Sequence, residues 1–313
     1  MSRPSTVTVR AAAKINLELV VGPPGSDGYH PVATVFQGVS LYDDVTASWA
    51  PPGEISVSVT GAGIDTTGVP RDGRNLAARA AALLLDMVDP DDAADLGVAL
   101  HIDKRIPVGG GMAGGSADAA AALLACDALW QLRLSRGELQ AAAARLGADV
   151  PFALLGGTAV GLGRGDRLTP ALAGGPWHWV LLVADGELST PEVYEELDRL
   201  RSGRGTAAPA VSQSLMVALR SGDPVALGAM LRNDLQPAAC SLRPSLKHVI
   251  QMARDLGVPG VMVSGSGPTV AVLAEDGDHA EELMIALYGL PGIKRLLRAE
   301  GPTPGCRVTD MVA

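Results

Sequence analysis

The chain has 313 residues, 47% of them hydrophobic and 19% charged, a composition that builds a globular protein and excludes a disordered one. With four Trp, four Tyr and two Phe, and a net charge of −9, it has neither the rings nor the positive surface of a general nucleic-acid binder. Backbone amides can still hold the phosphates of one nucleotide at that charge, and no run of about 18 apolar residues announces a membrane span.

In chain order, Val7–Val9, Ile15–Val21, Val32–Leu41 and Ile55–Thr60 are β-rich and separated by turn signals, with a loop at Gly22–Gly28. Asn75–Met87 has helical spacing, and Val98–Ile102 alternates as a strand. Pro107–Ala120 then places five glycines between Gly109 and Gly115, and an Ala- and Leu-rich helix runs from there to about Leu132. Ser135 and Glu138 make a capping box for the next helix, with Gly147 at its C-terminal end. Asp149, followed by Pro151, reads as the N-cap of another helix. Thr158–Leu162 and Trp177–Ala184 read as strands around a turn at Gly161–Gly165. A helix is expected from Thr190 to about Leu200, and a loop or lid at Ser202–Ala210. Helices follow at Val211–Leu219, Val225–Leu231 and Pro244–Leu256. Strands at Gly260–Val263 and Thr269–Leu273 flank a second glycine turn, Ser264–Pro268, and a helix at His279–Tyr288 and a strand near Arg307 end the chain. Strands and helices mix without regular alternation, which predicts an α+β fold in two lobes, 1–170 and 171–313.

Cys126, Cys240 and Cys306 are widely spaced in no metal-ligand pattern and read as free thiols of a reducing compartment. The first ten residues lack the apolar run of a signal peptide, so the expected location is the cytoplasm.

The glycine-rich stretch carries the most chemistry. A glycine loop emptying into a helix aims backbone N–H groups and the helix dipole at an anion, usually phosphate. It is not a Walker A loop, because no Gly-Lys-Ser/Thr ends it, and it fits the dinucleotide glycine spacing only loosely. A tight structural turn is the alternative, but five glycines carry an entropic cost that a plain turn does not require. Lys14 and Asn16 flank Ile15, so alternation puts both polar side chains on one strand face. By spacing alone Lys14 is as readily a solvent-facing lysine as a directed charge. Asp149 reads as an N-cap and His30 as a surface histidine, while the Ser264–Pro268 turn stays open between a phosphate-near turn and a tight hairpin. The Arg164-Gly165-Asp166 triplet resembles an adhesion motif and is read as coincidence, and the Asp89–Asp95 cluster as a solvated loop.

Taken together and in order, Ala13–Leu17, Pro107–Ser116 and Val263–Thr269 resemble the three motifs of the GHMP kinase superfamily. Lys14–Leu17, Asp27–His30, Thr34–Gln37, Gly114–Ala120 and Gly147–Phe152 narrow the resemblance to its diphosphocytidyl-methylerythritol kinase branch, and the match spans nearly the whole chain. The resemblance implies a two-lobed fold with ATP in the cleft, and transfer of its γ-phosphoryl group to the 2-hydroxyl of the methylerythritol unit in non-mevalonate isoprenoid synthesis. It implies Asp149 as general base with Lys14 beside it. ATP is then expected against Asn75 and along Pro107, Val108, Gly109, Gly110, Gly111, Met112, Ala113, Gly114, Gly115, Ser116 and Ala117. The substrate is expected against Asn16, Thr190, Tyr194, Gly265, Ser266 and Gly267, with Tyr29 and His30 at the cytosine. The superfamily usually carries two serines where this chain has Gly114 and Gly115, and the second commonly helps hold Mg²⁺; here the serine is shifted to Ser116, and Asp118 stands where many members have Asn. Mg²⁺ is therefore expected to arrive with ATP, without an assigned protein ligand. The partners implied are a small-molecule substrate and ATP, with no nucleic acid and no membrane; monomer and weak homodimer stay open.

Three other readings fit parts of the sequence. Another small-alcohol GHMP kinase, for homoserine or mevalonate, would not need a stacking ring such as Tyr29. A non-catalytic nucleotide-binding protein on the same fold would not need both Lys14 and Asp149. A dinucleotide-dependent oxidoreductase would need its glycine loop nearer the N-terminus and an acidic residue in the next strand.

Overall fold

The structure, a computed structural model, describes residues 3–202 and 207–312. Two long strands, β1 (Thr6–Val21) and β2 (Val32–Trp49), open the chain and pair antiparallel along most of their length. They are followed by β3 (Ile55–Gly61), α1 (Leu76–Leu85), the single turn α2 (Pro90–Ala93) and β4 (Val98–Lys104). Three helices come next, α3 (Gly114–Trp130), α4 (Arg136–Leu146) and α5 (Val150–Leu155), and then the hairpin β5 (Thr158–Gly163) and β6 (Arg167–Pro170). The remainder runs β7 (Trp177–Ala184), α6 (Thr190–Arg201), α7 (Gln213–Ser221), α8 (Pro224–Gly228), β8 (Arg232–Asn233), α9 (Gln236–Leu242) and α10 (Ser245–Asp255). It closes with β9 (Gly260–Val263), β10 (Val270–Ala274), α11 (Gly277–Ala286), β11 (Ile293–Gly301) and β12 (Arg307–Val312).

These elements form a two-lobed α+β fold. An eight-stranded sheet has the path β12-β1-β2-β4-β3, with β5 and β6 continuing from β2 and β8 lying parallel to β1; a four-stranded sheet has the order β11-β7-β10-β9. The chain passes from the first sheet to the second between β6 and β7, beside the expected lobe boundary. The division is not clean, because β8 and β12 return to the first sheet. One apolar core runs across both lobes, joining Ile15 and Leu123 to Trp177, Trp179 and Leu273. Gln37 adds a polar tie, its Oε1 accepting the Trp179 indole N–H at 3.0 Å.

α3 is the central helix. Residues Ala117–Leu123 are all buried and, apart from Asp118, apolar, so the helix is enclosed on every side by its neighbours. Its alanines let α1, β1 and β2 pack closely around it. Burial of its larger side chains, such as Leu123 and Leu129, stabilises the fold by roughly 1.5–3 kcal/mol each.

Several expectations are corrected here. The first two predicted strands are one, because Ala11–Ala13 continue β1 opposite β2, and cross-strand pairing overrides the weak strand preference of alanine. β2 runs on to Trp49 through Asp43 and Asp44, which look like a strand end but are held by Lys104 and Arg10 respectively. β11 contains Leu296, Leu297, Arg298, Ala299 and Glu300, good helix formers that become a strand by pairing with β7. β6, β8 and α9 are further elements that local pattern does not announce, and part of the acidic Asp89–Asp95 segment is the exposed turn of helix α2. Of the expected loop at Ser202–Ala210, residues 203–206 lie outside the described residues, and 207–210 form no helix or strand.

Candidate active site

The middle of β1 is where the site begins. Lys14 and Asn16 share one face, as alternation predicts, and Lys14 Nζ donates to Asn16 Oδ1 at 2.8 Å. The Asn16 amide in turn donates to Thr34 Oγ1 on β2 at 2.8 Å, and that hydroxyl donates to the Glu18 carbonyl at 2.6 Å. Both side chains are nearly buried, Lys14 at 7% exposure and Asn16 at 2%, so Lys14 is not the solvent-facing lysine that spacing alone allows.

Asp149 meets this pair. Its carboxylate lies 3.7 Å from Lys14 Nζ and remains one-third exposed to the cleft. Asp149 does occupy the N-cap position of α5, but its backbone is helical (φ −88°, ψ −14°) and its side chain makes no cap hydrogen bond. A capping side chain normally reaches the first-turn N–H groups from extended backbone. The N-cap reading of the carboxylate is therefore corrected, and its oxygens are available for chemistry. Gly147, just before it, is extended (φ 171°) and not left-handed. Nearby, burial and then the Asp149 charge push the Tyr194 hydroxyl up to about 12, so Tyr194 faces the carboxylate as a neutral phenol.

The glycine loop forms the opposite wall. Gly109 and Gly111 have φ of +66° and +75°, which only glycine adopts without strain. The Ser264–Pro268 turn is a β9–β10 hairpin turn that also packs on this loop, with Ser264 Oγ donating to the Gly111 carbonyl at 3.2 Å. A Cβ on Gly111 would run into the Ser264 carbonyl, and one on Gly265 would come to 3.4 Å from Lys14 Nζ and Asn16 Oδ1. The loop, the turn and the Lys14 strand are therefore in mutual contact. Thr190 Oγ1 joins the same turn through Ser266 Oγ at 2.9 Å.

α3 starts inside this enclosure. Ala113 precedes it in a left-handed conformation (φ 58°), and no side chain caps its first turn. Uncapped N–H groups at the start of a 17-residue helix, fronted by glycines, are a fit for phosphate oxygens. Gly115 leaves room there, since a Cβ would meet only Leu76, at 3.6 Å.

A cavity of about 600 Å³ is lined by Lys14, Asn16, Asn75, Asp149, Thr190, Tyr194, the loop positions Pro107–Gly111 and Ala113–Gly115, and the turn Gly265–Gly267. Met112, Ser116 and Ala117 do not line it. Met112 and Ala117 are 1% exposed because their side chains face the core, and only the Met112 carbonyl serves the site, accepting the Lys14 N–H at 3.2 Å. Asn75 lines the wall with its amide already used, capping α1 at Ala77 N and donating to the Pro70 carbonyl.

Tyr29 and His30 lie in an adjoining cavity of about 820 Å³ with Tyr194 and Thr190. His30 Nδ1 is 2.8 Å from the Gly22 carbonyl and Nε2 is 3.2 Å from Asp198, so neither ring nitrogen is free for a ligand as His30 stands. The reading of His30 as a surface histidine is corrected to a ring held in place, its side chain 6% exposed and its centroid 5.1 Å from that of Tyr194.

Sequence reasoning missed the group beneath the glycine loop. Lys104, 2% exposed, donates to Asp43 at 2.5 Å and to Asp118 at 2.8 Å. Asp43 also accepts the Arg105 and Ile106 N–H groups, which fixes the chain entering the loop. Burial disfavours the Lys104 charge, but the two carboxylates outweigh it and raise its pKa. Burial is also what drives Asp118 well above the usual carboxylate range, and its Oδ1 has no partner. A signal was present, since Val98, Leu100, Ile102 and Lys104 all fall on the inward face of β4. Among the described residues no group of three or more His, Cys, Asp or Glu side chains is arranged to hold a metal, and no helix is long and apolar enough to cross a membrane.

Comparison with known proteins gives the family. The family model "GHMP kinases N terminal domain" matches residues 75–157, and "GHMP kinases C terminal" matches residues 215–287. The chain is 52% identical to a 4-diphosphocytidyl-2-C-methyl-D-erythritol kinase of Leifsonia xyli over 308 residues, covering 96% of this chain and 98% of that protein. It is 51% identical to the Thermobifida fusca protein of the same description over 312 residues, covering 98% and 100%. A crystal structure of 4-(cytidine 5'-diphospho)-2C-methyl-D-erythritol kinase superposes with a TM-score of 0.73 at 35% identity, over 94% of this chain and 98% of that one.

Proposed function

The chain belongs to the GHMP kinase family, in its 4-diphosphocytidyl-2-C-methyl-D-erythritol kinase branch, and from that premise we propose how its residues divide the reaction. It is an ATP-dependent kinase of the non-mevalonate isoprenoid pathway that phosphorylates 4-diphosphocytidyl-2-C-methyl-D-erythritol. The lobes 1–170 and 171–313 hold ATP and substrate in the cleft between them.

The observation that carries the assignment of roles is the Lys14–Asp149 pair, 3.7 Å apart and next to an uncapped helix start. The N–H groups of the glycine loop and the first turn of α3 hold the ATP phosphates. No residue of the site is assigned as a protein ligand of Mg²⁺; bound together with ATP, the ion would supply neutralisation of phosphate charge beside the first turn of α3. The substrate 2-hydroxyl sits between Lys14 and Asp149. Its oxygen attacks the γ-phosphorus as the bond to the ADP oxygen breaks, and its proton passes to the Asp149 carboxylate. Lys14, fixed by Asn16, lies 3.7 Å from the Asp149 carboxylate and steadies the hydroxyl oxygen. Tyr29, His30 and Tyr194 enclose the cytosine, with the His30 ring serving as a positioned wall. The three cysteines are free, in keeping with a cytoplasmic enzyme.

A turnover assay across candidate alcohols with Mg-ATP tests the assignment. Phosphorylation of the cytidyl substrate is expected; phosphorylation of homoserine or mevalonate in its place would overturn it.

A further inference from the structure

The substrate of the reading above has two ends with separate requirements, a nucleobase and a hydroxyl to be phosphorylated, joined by a diphosphate. The two cavities match those ends. The one around Lys14 and Asp149 receives the hydroxyl, and the one around Tyr29 and His30 receives the base. The diphosphate must cross where the cavities meet, and there its two negative charges need a partner.

Residues lining both cavities mark that crossing, and among the described ones Arg164 is the only cation, beside Val32, Ala148, Thr190 and Tyr194. Arg164 stands in the β5–β6 turn between Gly163 and Gly165, whose φ angles of +75° and +99° shape the turn. Its guanidinium lies 3.8 Å from the centroid of the Tyr29 ring, and its Nη2 donates to Asp27 at 3.0 Å. Both members of that ion pair are about half exposed, so the pair itself contributes little and is readily exchanged. A guanidinium offers a planar fork that matches two phosphate oxygens, and it can keep its stacking on Tyr29 while doing so.

We infer that Arg164 binds the diphosphate of the cytidyl substrate, exchanging Asp27 for the phosphate oxygens and linking the base-binding and phosphoryl-transfer halves of the site. The triplet Arg164-Gly165-Asp166 thereby has a role unrelated to adhesion. The inference rests on the kinase reading above and adds the residue that recognises the diphosphate.

The experiment compares CDP and cytidine as inhibitors competitive with the cytidyl substrate, in the wild type, in Arg164→Met and Arg164→Lys, and in Arg145→Met, Arg145 being the other arginine that lines the cavity around Tyr29 and His30. In Arg164→Met, KM for the substrate and Ki for CDP should rise about 10- to 100-fold, the worth of a charge-assisted contact. Ki for cytidine and KM for ATP should stay within about twofold, and Arg164→Lys should recover part of the loss. Equal weakening of CDP and cytidine would show that Arg164 only supports Tyr29, and would overturn the inference. So would an unchanged Ki for CDP, or a loss found in Arg145→Met instead. If neither compound competes in the wild type, the cytidyl reading of the second cavity fails, and the inference fails with it.

Discussion

Lys14 on β1 and Asp149 at the start of α5 face each other across 3.7 Å, with Lys14 anchored 2.8 Å from Asn16. The carboxylate makes no capping bond to its own helix, and among the described residues Lys14 is its one ion-pair partner. Removing the base should therefore expose the chemistry. In Asp149→Asn we expect turnover to fall by about 10²–10⁴-fold, with ATP affinity retained. Single-turnover phosphoryl transfer and a separate ATP-binding titration check this, and undiminished turnover would remove Asp149 from the role of base.

Gly111 in the glycine loop and Gly115 in the first turn of α3 should respond oppositely to substitution. Gly111→Ala places a methyl group against the Ser264 carbonyl at a φ of +75°, so we expect a loss of about 1–3 kcal/mol and a raised KM for ATP. Gly115→Ser meets only Leu76, at 3.6 Å, and should fold as well as the wild type. Thermal melting with ATP kinetics on both variants decides it; equal stability of the two would contradict the packing described.

Lys104 is the cation between two buried carboxylates. Lys104→Met leaves the buried Asp43 carboxylate without its cation, which should cost about 3–5 kcal/mol. Denaturant unfolding measures this. A loss below about 1 kcal/mol would mean that the triad does not hold the base of the glycine loop.

Asp118 gives a pH dependence with a definite sign. Its folded pKa is raised by burial, so the folded state binds its proton more tightly than the unfolded state. That contribution is fully present below the unfolded carboxylate pKa of about 4 and is lost as pH rises toward the folded value. Asp118→Asn should remove the decline, leaving Lys104 paired with Asp43. Unfolding free energies measured from pH 4 to 8 should fall less steeply in the variant; parallel profiles would refute it.

Tyr29 and His30 differ in how far sequence could read them. Their place after a Gly-rich loop singles them out, yet the ring nitrogens of His30 are held by Gly22 and Asp198, and Asp198 lies on a helix far along the chain. Arg164 is the clearest case of the same limit. Nothing in its local spacing brings it over Tyr29, because that contact depends on β5 pairing with β2 and on where the Gly22–Gly28 loop comes to rest.

The sequence by itself determined the α+β class, most helix and strand positions, the glycine loop at the start of α3, and the shared face of Lys14 and Asn16. These follow from near-neighbour physics: alternation on a strand, glycine before a helix, and capping residues at fixed offsets. Only the tertiary structure decided that Asp149 leaves its cap unused and meets Lys14, that Lys104 is enclosed by Asp43 and Asp118, and that β11 is a strand despite its helix-forming residues. Burial and long-range pairing set those outcomes. A buried charge takes whichever partner the fold brings within reach, and a segment completing a sheet takes the conformation of the strand it joins.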